Sequence, residues 1–374
     1  MASSTYTTTL DTDEPLKPYI PLNETPEEKK KRVQMEKQAR KHSEAIDKQL
    51  KAEKEEMEKR RDSKLLLLGS SESGKTTVLK QLKIIHGKGL EGERQQYRRI
   101  VHINTLTAMK ALVNALPSLE YTPDPIQAAI RDNKLDDDAF DLFHEHVDSI
   151  KSLWEDPAIK NCFSSASEIG LQDSAKYFLD NADRFSNVDY LPTDEDILQA
   201  RIRTVGVTEH KFEIDRVTYK IYDVGGHRSQ RHFWAPYFDD VNAIIFMAAI
   251  SAFDQTLEED PEVNRMSDSI DLFDSICNNP LMANTSIILF LNKIDILKQK
   301  LSSVNVKDYF PDYEGDNKFQ SVVNFFKGKF LERAPENKRV YTHLTHATDT
   351  KQMRLIVATV NDIVQRRQLR DTGF

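Results

Sequence analysis

Residues 69–76 read G-S-S-E-S-G-K-T and match the pattern G-x-x-x-x-G-K-[ST]. A loop of this kind, placed straight after a strand and opening a helix, turns backbone N–H groups and a helix N-terminus toward phosphate oxygens. Lys75 would neutralise β- and γ-phosphate oxygens, and the Thr76 hydroxyl would ligate Mg²⁺. Asn292-Lys293-Ile294-Asp295 follows an apolar run at 286–291. A carboxylate at Asp295 can accept from both the N1–H and the 2-amino group of guanine, a pair that adenine does not offer. Between these two motifs lies Asp223-Val224-Gly225-Gly226. Asp223, at a strand end, can hold a Mg²⁺-bound water, and Gly226 allows its N–H to approach a γ-phosphate. Residues 196–206, D-I-L-Q-A-R-I-R-T-V-G, offer Thr204 as a second hydroxyl ligand for Mg²⁺ and Arg201 as a group able to reach the bridging β–γ oxygen. By composition alone that segment reads equally well as an ordinary basic loop. His227, directly after the two glycines, stands where a water-positioning group would be needed.

The elements that must hold these residues follow from periodicity. Lys64–Leu68 is a short apolar run suited to a buried parallel strand, and a helical pattern then runs through Ile85. From about 92 to 198 the chain reads as almost continuous helix, broken by loops such as Thr122-Pro-Asp-Pro125, with no strand. After 200 the rhythm changes. Strands are expected at 211–215 and 217–222 as a hairpin, then at 243–249, 286–291 and 339–344, with helices at about 261–278, 318–333 and 350–368 between and after them. Alternating strand and helix predicts a parallel-dominated sheet covered on both faces. One α/β domain is therefore split by an all-helical insertion.

The rest of the composition narrows the class. The chain has 374 residues, 39% hydrophobic and 30% charged, as in a soluble globular protein. A net charge of −8 gives no reason to expect nucleic acid as a partner. Two cysteines, Cys162 and Cys277, suit a reducing compartment and show no metal spacing. The longest apolar run, 243–250, is far short of the roughly 18 residues that span a bilayer. No signal peptide, glycine at position 2 or nearby cysteine marks the N-terminus, so no lipidation is expected there. Residues 1–24 read as a disordered tail. Thr25-Pro26-Glu27-Glu28 reads as a helix start, and Met35, Ala39, Ile46, Leu50 and Met57 fall within roughly 60° on its wheel. So narrow a stripe suits either a long helix lying on a partner or a solvated helix with none.

Taken together, these segments resemble the alpha subunit of heterotrimeric G proteins over about residues 27–374. The likeness is carried by Glu72-Ser73 inside the phosphate loop, R-x-x-T at 201–204, D-V-G-G at 223–226, N-K-x-D at 292–295 and T-H-A-T at 345–348. L171-Q-D-S-A-K-Y-F-L179 and F273-D-S-I-C-N-N279 add to it. The resemblance implies a Ras-like P-loop GTPase domain at 63–91 and 199–374, a helical domain at 92–198 and an N-terminal helix at 25–62. It implies GTP or GDP with Mg²⁺ held by Thr76, Thr204 and Asp223. Nucleotide contacts would come from Gly69, Glu72, Ser73, Gly74, Lys75, Thr76 and Thr77. The helical side and hinge would add Asp173, Ser174, Leu198, Gln199, Ala200, Ile202 and Arg203. Val224, Gly225, Gly226, Asn292, Lys293 and Asp295 would complete the pocket, with the Ala347 N–H on the guanine O6. Catalysis would rest on Lys75, on Arg201 as an in-built arginine finger and on the residue at 227. Implied partners are a beta-gamma dimer on the N-terminal helix and on 227–238 including Trp234, a G protein-coupled receptor at the C-terminal helix, a downstream effector and a GTPase-activating regulator. The implied location is cytoplasmic, at the inner face of the plasma membrane through those partners.

Several positions depart from the family pattern. His227 replaces a glutamine that orients the attacking water. Neutral imidazole has one donor and one acceptor, against two donors and an acceptor in the amide, so poorer orientation is expected. Translational GTPases, which use a histidine after D-x-P-G for hydrolysis, support the opposite expectation. Ser71 stands in place of a glycine, its Cβ near the γ-phosphate. Val205 replaces a threonine that regulators touch, and His232 and Phe233 replace two basic residues. The expected function is a nucleotide-operated signalling switch with slow hydrolysis. The alternatives are a GTP-holding module with negligible turnover and, disfavoured by N-K-x-D, a P-loop kinase.

Overall fold

Leu65, Leu66, Leu67 and Leu68 are all buried, which requires a strand covered on both faces. They form the middle of β1 (Asp62–Gly69), which pairs in parallel with β3 (Val217–Val224) on one side and β4 (Ala243–Ala249) on the other. β5 (Ser286–Asn292) and β6 (Val340–Thr345) continue the sheet in parallel. β2 (Val207–Ile214) closes the other edge, antiparallel to β3. The order is β2-β3-β1-β4-β5-β6. This computed structural model describes residues 25–59, 62–87, 89–116, 139–164, 169–214 and 217–371. The expected tail at 1–24, the loop at 122–125 and the last three residues lie outside them.

Alternation along β1 assigns the two faces of the sheet. Leu66 and Leu68 join Phe246, Phe273 and Phe330 under the helices Arg265–Cys277 and Phe319–Leu331. Leu65 and Leu67 join Val78, Leu82, Met353 and Val357 under Lys75–His86 and Thr350–Asp371. Every residue of β4 and of β5 is buried, and the 292–295 segment leaves the sheet at the end of β5.

A third core belongs to helices alone. Tyr97, Val101 and Met109 of Arg94–Ala115 pack with Phe143, Ile150, Phe178, Phe185 and Ile197. Asp196 ties the end of this unit together. It forms a capping box with Thr193, and its carboxylate also accepts from Tyr177 (2.6 Å), Tyr190 (3.0 Å) and Arg184 (2.6 and 2.9 Å). Burial alone would raise its pKa, but Arg184, Tyr177 and the Thr193 N–H outweigh burial and hold it at about 2. Asp196→Ala is expected to destabilise the protein by about 3 kcal/mol in urea denaturation, because the donors lose a buried charge. A carboxyl depressed by folding stabilises above its ordinary value, so this contribution is complete above pH 3.8 and is lost as the pH falls through about 2.

Among the element limits that differ from expectation, two have a clear physical reason. β2 begins at Val207, not 211, because its first residues pair with Val224 and Asp223 through the backbone while their side chains stay largely solvated. The N-terminal helix is Pro26–Lys59 and stops short of 62. Asp62 and Ser63 already pair with Thr218 and Tyr219 in the sheet. Of the apolar stripe on that helix, Met35 and Ile46 are exposed. Among the described residues, no helix is long and apolar enough to cross a membrane.

Candidate functional site

The loop after β1 turns sharply, with Glu72 at φ 59° and Gly74 at φ 101° as it enters the helix Lys75–His86. A Cβ at Gly74 would lie 2.4 Å from Asn292 Nδ2, so only glycine fits. Ser73 Oγ donates to the Ser70 carbonyl at 2.9 Å. Lys75 is buried inside the turn and donates to the carbonyls of Gly69 (2.9 Å) and Ser70 (2.8 Å). Burial pushes its pKa down to about 8 against the pull of Asp223. An amine desolvated in this way gains most from an anionic ligand. Gly226 closes over it, where a Cβ would sit 2.3 Å from Lys75 Nζ.

Oxygen donors gather beside this turn. The Thr76 hydroxyl donates to Asp223 Oδ2 at 3.1 Å and lies 3.0 Å from Thr204 Oγ1. Asp223 Oδ1 is buried without a partner, and burial raises the carboxyl's pKa. An all-oxygen set with one uncompensated carboxylate lone pair is the chemistry a hard divalent cation takes.

The base-facing end is joined to the same loop through Asn292. Its Nδ2 donates to the Ser73 carbonyl at 2.9 Å, and its Oδ1 accepts from Thr345 Oγ1 (2.9 Å) and Ala347 N (3.1 Å). Gln81 Nε2 then fixes the Ala347 carbonyl at 2.9 Å. Lys293 adopts φ 62°, and Asp295 follows in the first turn of Ile294–Lys300. Asp295 Oδ1 is buried and unpartnered, whereas Oδ2 lies 3.1 Å from His346 Nε2. Burial would raise the Asp295 pKa, but His346 outweighs it and keeps the carboxyl below its ordinary range.

These loops, at the C-terminal ends of β1, β3, β5 and β6, enclose with the helical unit a cavity of about 310 Å³. A profile described as G-protein alpha subunit matches residues 40–364. The chain belongs to the G-protein alpha-subunit family. The guanine nucleotide-binding protein subunit alpha of Emericella nidulans is 42% identical over 351 residues, covering 91% of this chain and 98% of that protein. The guanine nucleotide-binding protein alpha-1 subunit of Mycosarcoma maydis is 43% identical over 350 residues, covering 92% and 98%. That of Neurospora crassa is 40% identical over 353 residues, covering 91% and 98%. As a G-protein alpha subunit, the protein is a guanine nucleotide-binding signalling switch and a GTPase.

Most of the anticipated residues of this alpha subunit line the cavity. Glu72, Ser73, Gly74, Lys75, Thr76 and Thr77 form one wall, and Asp173, Ser174 and 198–204 another. Gly226, His227, Asn292, Lys293, Asp295 and Ala347 complete it, while Gly69, Asp223, Val224 and Gly225 are not on its wall. Two side chains are engaged in ways that sequence did not indicate. Arg201 reaches Glu72 at 2.9 Å and Glu258 at 3.6 Å, and Arg265 holds the other Glu72 oxygen at 2.8 Å. Asp173 is paired with Lys293 at 2.5 Å, bridging the helical unit to the base-facing loop. Trp234, anticipated on a partner surface, is buried and donates its indole N–H to the Gly225 carbonyl at 3.1 Å. The exposed aromatic there is Phe233, packed on His232.

Sequence reasoning missed His346, Thr348, Tyr177 and Lys80 on the cavity wall. His346 lay inside the T-H-A-T motif and was legible there. Lys80 was not. It is buried, donates to the carbonyls of Ile197 (2.8 Å) and Ala200 (2.7 Å), and its pKa is pushed down to about 7 by burial.

Proposed function

We propose that this alpha subunit binds GTP and GDP together with Mg²⁺ in the cavity and hydrolyses GTP slowly by in-line attack of water on the γ-phosphorus. The observation that carries the reading is the pairing of two unsatisfied buried carboxylate oxygens, Asp223 Oδ1 beside the phosphate loop and Asp295 Oδ1 at the opposite end. Thr76, Thr204 and Asp223 would hold Mg²⁺, which when bound would neutralise charge growing on the phosphate oxygens. Lys75 and the loop N–H groups would hold the phosphates, and Arg201, released from Glu72, would stabilise transition-state charge. Asp295 and the Ala347 N–H would read the base.

Slow hydrolysis follows from the surroundings of His227. Its Nδ1 accepts from the Ser229 N–H at 3.3 Å and lies 2.8 Å from Ser229 Oγ. By this hydrogen bonding the ring proton is assigned to Nε2, which faces Glu259 Oε2 at 3.6 Å. The lone pair that would take a hydrogen bond from the attacking water is thus occupied. If this pairing persisted throughout, the protein would behave as a GTP-holding module.

Single-turnover phosphate release, started by adding Mg²⁺ to GTP-loaded protein, tests both parts. His227→Gln is expected to raise the rate at least about tenfold, because an amide with both a donor and a free acceptor can orient the attacking water. Adding Ser71→Gly should raise it further. Equal rates for parent and His227→Gln would overturn slow turnover through His227, and unchanged release in a chelator would overturn the metal site.

The partners proposed are a beta-gamma dimer against the N-terminal helix and the 227–238 segment, a G protein-coupled receptor at the C-terminal helix, an effector and a GTPase-activating regulator. What favours the second surface is the exposure of Phe233 within that segment. Attachment to the inner membrane face is proposed to run through these partners.

A further inference from the structure

Arg201 to Val205 belong to neither helix nor strand, so no ladder of hydrogen bonds fixes the arginine's backbone. One side chain from the helical unit does. Asn104, in the helix Arg94–Ala115, accepts from the Arg201 N–H through Oδ1 at 2.9 Å and donates from Nδ2 to the Arg201 carbonyl at 3.1 Å. Its second Nδ2 hydrogen goes to the Ile100 carbonyl at 2.8 Å. The amide orientation is unambiguous, because exchanging O and N would face a donor with the Arg201 N–H and an acceptor with two carbonyls. Asn104 is 5% exposed, so these bonds face little competition from water. Two bonds to one residue fix the peptide planes on both sides of its Cα, and therefore the direction in which its side chain leaves. Lys80 holds the preceding residue by the Ala200 carbonyl.

We propose that Asn104 is a positioning residue for GTP hydrolysis. It sets the Arg201 backbone so that the guanidinium can swing from Glu72 to the phosphates, and so makes docking of the helical unit a condition of catalysis. The proposal rests on the role given above to Arg201. Asn104 touches no reacting atom; it acts through the peptide of a residue 97 positions away.

The test is a double-mutant cycle in single-turnover hydrolysis at saturating GTP and Mg²⁺. Asn104→Ala is expected to slow hydrolysis roughly 10- to 100-fold, the scale of a misplaced catalytic group. GTP affinity, read by titration of a fluorescent GTP analogue, should stay within about threefold of the parent. In an Arg201→Ala background the same substitution should have no further effect on the rate, since no guanidinium remains to be placed. Asn104→Asp, near-isosteric but facing both carbonyls with oxygen, should reproduce the loss and serves if the alanine variant does not fold. An equal loss in both backgrounds, or a loss matched by weaker GTP binding, would overturn the positioning role. If Arg201→Ala slows hydrolysis and neither Asn104 variant does, this proposal alone fails. If Arg201→Ala leaves the rate unchanged, the reading of Arg201 fails and takes this proposal with it.

Discussion

Arg201→Ala is expected to slow single-turnover GTP hydrolysis by about 10³-fold while leaving GTP affinity nearly unchanged, a magnitude general to in-built arginine fingers of this enzyme class rather than derived from the distances here. The physical reason lies in the company the guanidinium keeps. Arg201 and Arg265 share Glu72, whose carboxyl would be raised by burial but is held below its ordinary range by the two arginines. Glu72 is therefore a resting partner that keeps Arg201 beside the phosphate loop. A γ-phosphate gathering charge in the transition state would compete for the arginine with a carboxylate that Arg265 still neutralises. Arg201→Lys keeps the charge and loses the planar fork, so an intermediate rate is expected. Both variants are best measured in the His227→Gln background as well, where the faster parent rate widens the range. A rate within twofold of the parent in that background would mean that the arginine remains on Glu72 throughout turnover.

Legibility from sequence followed the scale of the constraint. The phosphate loop was plain because its turn admits only glycine at Gly74 and needs Lys75 and Thr76 in fixed succession. The central strands were plain because burial on both faces leaves an unbroken apolar run, as in 243–249 and 286–292. β2 was misplaced by four residues because an edge strand can keep Thr208 and Glu209 in solvent and His210 only half-buried, so its pairing leaves no apolar signature. The end of the N-terminal helix was misread for a related reason: Asp62 and Ser63 carry helix-compatible polarity, and only their partners in β3 recruit them to the sheet.

Side-chain pairings between distant segments were the least visible. Nothing local distinguishes Asn104 from other polar residues of its helix, nor Lys80 from Lys83. Both act on carbonyls around position 200 that come near only when the helical unit packs on the sheet. The same holds for Glu72, which sequence placed against the nucleotide and which the fold gives to two arginines. Motifs record where the backbone must go, and these partners record how the two halves of the cavity are held together.

Asp295→Asn is expected to weaken GTP and GDP binding by about 10²- to 10⁴-fold and to abolish the preference for guanine over adenine nucleotides. Two hydrogen bonds to an ionised carboxylate are at stake, each worth about 1.5–3 kcal/mol. The parent site is prepared for them. His346 holds Asp295 Oδ2 at 3.1 Å and leaves Oδ1 buried and without a partner, so binding a base that lacks the matching donors would leave that oxygen unsatisfied. The contact runs both ways, since Asp295 raises the pKa of His346 above its ordinary value. An asparagine in place of Asp295 presents one acceptor and one donor. Xanthine has N1–H and a carbonyl at C2, which matches that pattern, so xanthosine diphosphate should bind Asp295→Asn better than guanosine diphosphate and the parent worse. Competition titrations with the four diphosphates of guanosine, adenosine, inosine and xanthosine on parent and variant measure this directly. Inosine, which lacks the 2-amino group, should lose about one of the two bonds on the parent. Equal binding of guanosine and inosine diphosphates by the parent would show that Asp295 does not contact the 2-amino group, and the base would then have to be read by Ala347 and its neighbours alone.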